Sequence, residues 1–149
     1  MTEISFYHLT ASTMEKALPK LLEKAVSSGF RSVVVTKDEA QSEQLNALLW
    51  SYDPNSFLPH GSRSDPHPEA QPIYITHEPE APNSPDMLVI TDGSALELDG
   101  SLKRVLDLFD GQDEQQVEKA RKRWKDYKAA GHAVSYFQQT ETGSWKKAA

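Results

Sequence analysis

The sequence predicts a single α/β domain with a mainly parallel sheet and helices on its faces. Two observations carry this. The N-terminal half alternates short β-branched or aromatic runs with helical periodicity, the βαβ rhythm that parallel sheets require. The run Val33-Val34-Val35 is apolar on both faces, as a strand covered on both sides must be. A length of 149 residues suits one domain with its own core.

Ile4 to Leu9 is the first strand expected. Thr13 to Ser28 reads as a helix capped by Ser12 or Thr13, with Ala17, Leu21, Leu22 and Ala25 as its apolar stripe and Gly29 as its stop. Pro19 within it should kink the helix unless the helix starts near that position. Ser32 to Thr36 is the second strand. Asp38 caps a second helix that runs to about Trp50. From Asp53 to Gln71 the chain is rich in proline and reads as a loop. Ile73 to Thr76 is a strand, Glu78 to Pro85 a second Pro-rich connector, and Met87 to Thr91 another strand. Lys103 to Phe109 fits either a strand or a short helix. Asp113 to Ala130 has strong helical character, closed by Gly131 at the C′ position. Ala133 to Gln138 is expected to be the final strand of a domain spanning 1–139. Residues 140–149 are expected to form a flexible tail.

Several function classes find little support. Cysteine is absent, which removes disulfides, thiol nucleophiles and cysteine zinc sites. The N-terminus lacks the basic and apolar stretches of a secretory signal. No apolar run approaches the roughly 20 residues a membrane span needs. A cytoplasmic location is therefore expected. No glycine-rich phosphate loop occurs, so a nucleotide-processing enzyme is disfavoured. Asp92-Gly93-Ser94 follows a strand end but lacks the flanking glycines of a nucleophile elbow, and it reads as a turn. His60, His67 and His77 are irregularly spaced and read as solvated loop residues rather than metal ligands. His8 and His132 flank strands and read as packed or exposed. No catalytic residue, cofactor or metal site is expected.

The charge is −6 overall and unevenly spread. Between Asp38 and Leu102 stand 12 acidic residues and one basic residue, whereas Lys119 to Lys128 holds six basic residues and one acidic residue. A net negative charge opposes broad nucleic-acid binding. A local anion-binding face on the last helix is consistent with the distribution. At 100° per residue, Arg121, Trp124, Lys125 and Lys128 share one helix face, with Val117 at its edge. Ala120 and Tyr127 turn toward the core, and Lys119, Lys122 and Arg123 point away. Two readings stay open. Trp124 and Tyr127 are both core, or a shallow apolar pocket rimmed by cations receives an acidic peptide or free carboxylate. A second cluster, Trp50 and Phe57, stands where a helix meets a Pro-rich loop. It either seals the core or forms an exposed docking patch.

The order and spacing of several segments resemble the chi subunit of bacterial DNA polymerase III. They are Phe6-Tyr7-x-Leu9, Val33-Val34-Val35, Leu49-Trp50, Ser56-Phe57-Leu58-Pro59-His60, Pro72-Ile73, Asp86-Met87-Leu88-Val89-Ile90, and the run from Ala120 to Gly131. The resemblance implies a three-layer α/β/α domain without catalysis, acting as an adaptor in DNA replication. It implies that Arg121, Trp124, Lys125 and Lys128 hold the acidic C-terminal tail of single-stranded-DNA-binding protein. The family commonly carries Tyr where Trp124 stands. It further implies that Trp50 and Phe57 dock the psi subunit, or another clamp-loader or helicase partner, with nucleic acid touched only indirectly. The rival from a different class is a direct nucleic-acid binder using the last helix, which would show a steep salt dependence.

Overall fold

The computed structural model describes residues 3–10, 14–51, 60–62, 67–77, 83–91, 102–142 and 145–147. Its strands are β1 (Glu3–Leu9), β2 (Ser32–Val35), β3 (Gly61–Ser62), β4 (Ile73–Thr76), β5 (Met87–Ile90), β6 (Arg104–Asp110), β7 (Ala133–Gln139) and β8 (Trp145–Lys147). Its helices are α1 (Met14–Ser27), α2 (Glu39–Ser51) and α3 (Glu114–Ala129). The strands form one sheet in the order β3-β4-β2-β5-β6-β1-β7-β8. All pairings are parallel except the last, where β8 runs antiparallel to β7.

Alternation along the strands divides the core in two. On β6, Leu106 and Leu108 face the layer of α1 and α2, where they join Leu18, Leu22, Leu45 and Leu49. Val105 and Phe109 face the other way, joining Ile4, Phe6 and Ala120 of α3. The architecture is thus α/β/α. Among the described residues no helix is long and apolar enough to cross a membrane.

Local chemistry sets the helix ends. The Asp38 carboxylate accepts from the Gln41 amide at 2.8 Å, as a capping residue should. Asp113 does the same for α3, accepting from the Gln115 and Gln116 amides. α1 and α3 finish alike. Gly29 and Gly131 both have φ near +90°, at +86° and +88°. Each lets the following amide reach back to a carbonyl of the last turn, Phe30 to Ala25 and His132 to Tyr127. Pro19 lies buried inside α1. The helix begins five residues before it, so it continues through a position that lacks one i→i−4 bond.

Elsewhere the structure departs from expectation. The ambiguous segment is a strand, β6, paired along its length with β1. Gly61–Ser62, inside the expected loop, adds a short edge strand. The expected tail contains β8, whose Trp145 packs edge-on against Tyr7 at 4.9 Å between ring centres. His60 is not a solvated loop residue: it is 3% exposed and its Nε2 lies 2.9 Å from the Asn46 carbonyl of α2. The Pro-rich connector ends in a buried anchor. Asn83 donates to the Ser32 and Gln71 carbonyls at 3.0 Å each, tying the entry of β5 to its neighbours.

Candidate functional site

α3 crosses the sheet over β6, β1 and β7. β1 lies between the other two strands, so Phe6 and Tyr136 are register partners. Together with Phe109 at the end of β6 they make an aromatic floor. Val117, Ala120, Arg121 and Trp124 from α3 close the other side. These residues line a cavity of about 310 Å³, at the lower end of the size range of small-ligand sites. Trp124 stands edge-on to Phe6 at 5.6 Å and to Tyr136 at 5.9 Å. It is half-buried, so the ring is both part of the core and a wall of the cavity.

The sequence-predicted residues divide. Arg121 and Trp124 line the cavity. Lys128 holds its Nζ over the Trp124 ring, 5.8 Å from the centre, a cation–π arrangement that keeps positive charge beside the opening. Lys125 is exposed and outside the cavity lining, available only as surface charge. Tyr127 turns toward Phe6 as expected, 6.2 Å between centres. Trp50, on the last turn of α2, is 54% exposed, which favours the surface patch over the core seal. Its ring lies 4.2 Å from that of His60. Phe57 and Asp92-Gly93-Ser94 lie outside the described residues.

Arg123 requires a correction. It does not point to solvent. Its guanidinium makes a bidentate pair with Asp107, at 2.6 and 2.8 Å, with Asp107 fully buried on β6. The pair faces the α3 layer because Asp107 has the same strand parity as Val105 and Phe109. Burial pushes the Asp107 carboxyl above its ordinary value, against the pull of the Arg123 guanidinium.

Sequence reasoning also missed Phe6, Phe109 and Tyr136 as walls. Their signal was one aromatic at an inward position on each of three separate strands. It becomes visible only when β1, β6 and β7 are known to be neighbours.

The fold and site define a small, mostly parallel α/β domain with an aromatic cleft between its basic last helix and the sheet. The chain belongs to the family of the DNA polymerase III chi subunit, HolC, whose model matches residues 1–135. It is 47% identical over 90 residues to a probable DNA polymerase III subunit chi of Rickettsia prowazekii, a stretch covering 60% of this chain and 54% of that protein. To the DNA polymerase III subunit chi of Escherichia coli it is 25% identical over 136 residues, covering 91% of this chain and 88% of the other. The Haemophilus influenzae subunit chi is 26% identical over 134 residues, covering 87% and 92% respectively.

Proposed function

We propose that this protein is a non-catalytic accessory subunit of the replicative polymerase, working in the cytoplasm as an adaptor. One surface receives the acidic C-terminal tail of single-stranded-DNA-binding protein. A second, at Trp50 and Phe57, meets a psi subunit or another clamp-loader or helicase partner.

The observation that carries this reading is the cavity with Arg121 among its walls. Its interior is aromatic and fits an apolar or aromatic terminal side chain. Arg121 offers a planar fork of donors for a carboxylate. Lys125 and Lys128 extend the positive potential for the acidic residues that precede the terminus. The ligand chemistry is that of a short anionic peptide with an apolar end.

The test is a titration of a fluorescently labelled tail peptide, with and without its last residue. Wild type should bind the complete peptide and lose most affinity for the shortened one. Trp124→Ala should speed dissociation, since it removes a buried anchor. Lys125→Glu should slow association and flatten the salt dependence. Arg121→Ala should weaken binding far more than Lys122→Ala, whose side chain is exposed on the outer face. Equal affinity for both peptides would defeat the assignment.

A further inference from the structure

One wall residue of the cavity, Tyr136, is backed by a second titratable group, His8, beyond the basic helix. His8 sits near the end of β1, half-buried, with its ring 4.9 Å from Phe109. Its Nδ1 meets the Tyr136 hydroxyl. Its Nε2 lies beside Gly111 at the start of the turn after β6, where any side chain would collide with the ring. The Gly111 backbone favours a proton on the ring. The Gly111 amide already donates to the Leu9 carbonyl at 2.8 Å, so the carbonyl is the Gly111 group left to meet a proton on Nε2. In a neutral imidazole one nitrogen donates and the other accepts. In the tautomer that carries its proton on Nε2, Nδ1 is the acceptor and the Tyr136 O–H is its donor.

Tyr136 has a single proton to give. While His8 is neutral, that proton is committed to Nδ1, and the phenol oxygen can offer a carboxylate only lone pairs. When His8 is protonated, Nδ1–H donates to the phenol oxygen, and the phenol proton is released to donate toward the cavity that Tyr136 lines. Arg121 is near enough to bear on the titration of both groups. The groups facing His8 are Tyr136 from β7, Arg121 from α3, Asp110 at the end of β6 and the Gly111 backbone. Burial opposes a proton on His8, as does Arg121, while the Gly111 backbone and Asp110 favour it; burial prevails and holds the imidazole below its ordinary value. An anion paired with Arg121 would cancel part of that opposition.

We propose that Tyr136 in the cavity wall and His8 behind it form a proton-coupled donor switch, so that binding an anionic peptide takes up a proton and strengthens as the pH falls. The inference rests on the peptide-binding reading above and adds a specificity device to it. Linkage makes the effect reciprocal: protonation favours the anion, and the anion favours protonation.

The test is isothermal titration calorimetry of the full chain between pH 8 and pH 5.5. The probe is an N-acetylated acidic peptide ending in phenylalanine with a free carboxylate. Its carboxylates stay ionised throughout, since their ordinary values lie at about 3.5–4.3. Wild-type affinity should rise about 5-fold or more on acidification. Titrations in two buffers of different ionisation enthalpy should show net proton uptake. His8→Gln and Tyr136→Phe should each flatten the profile, whereas His132→Gln should keep it. If one variant does not fold, the wild-type proton uptake and the other variant decide the matter. Tight binding that is flat with pH and takes up no proton would overturn the switch while leaving the peptide site intact. A slope surviving in both His8→Gln and Tyr136→Phe would also overturn it. No binding at any pH would instead overturn the reading on which it rests.

Discussion

Arg121 and Arg123 stand two positions apart on α3 and meet opposite environments. Arg121 is exposed and lines the cavity; Arg123 is inserted against the sheet and paired with Asp107. Side chains two positions apart on a helix do not share a face, so unequal roles are expected. Removing one partner of a buried pair leaves an uncompensated charge, which typically costs about 3–5 kcal/mol. Arg123→Ala is therefore expected to lower stability by about that amount in urea unfolding, with peptide affinity retained by the folded fraction. A loss under about 1 kcal/mol, as exposed pairs give, would contradict the burial of this one. The helical wheel alone could not reveal the pair. A basic residue flanking an apolar stripe is ordinarily solvated, and the partner lies 16 residues earlier, on a strand. The trace left in the sequence was Asp107 itself, an acid at an inward position of the apolar run Val105 to Phe109. Arg121 and Trp124 were legible because a wheel shows which residues share a face. Phe6 and Tyr136 were not, because their proximity comes from long-range strand pairing.

At the scale of elements, chain-local chemistry was the most legible part. Asp38, Asp113, Gly29 and Gly131 mark helix ends through interactions within a few residues. Asp113→Ala should cost about 1 kcal/mol, in the range of 0.5–2 found for lost N-caps, measured by thermal or chemical denaturation. An unchanged midpoint would show that water caps α3 equally well. Elements that depend on distant partners were less legible. β3 is two residues long, and its only signature is a place beside β4. β8 contains two lysines and one aromatic, which gives no alternation to read; the contact of Trp145 with Tyr7, far away in sequence, anchors it. The segment that became β6 was ambiguous for a related reason. Burial on both faces removes the period-2 pattern that distinguishes strand from helix.

For the whole molecule, the parallel α/β class followed from rhythm, but the strand order did not. β1 sits deep in the sheet between β6 and β7, which are far from it in sequence. This order brings β1, β6 and β7 beneath α3, while α2 packs by β3 and β4 toward the other edge. The cavity and Trp50 therefore belong to helices on opposite faces of one sheet, as the proposed binding of two partners requires. Trp50→Ala should leave stability within about 0.5 kcal/mol, because the ring is more than half exposed. It should weaken capture of the proposed psi, clamp-loader or helicase partner by about tenfold or more while tail-peptide affinity is unchanged. A large fall in melting temperature with no selective binding defect would return Trp50 to the core.

The location of the peptide site is the central claim, and amide chemical-shift mapping tests it most directly. The isotopically labelled protein is titrated with the acidic tail peptide, and the shifts are traced onto the sheet and α3. The largest changes should fall at Phe6, Phe109, Val117, Ala120, Arg121, Trp124 and Tyr136. Lys119 and Lys122 on the outer face should change little. Shifts concentrated around Trp50 and His60, or spread along the outer face of α3 without the strand residues, would contradict it.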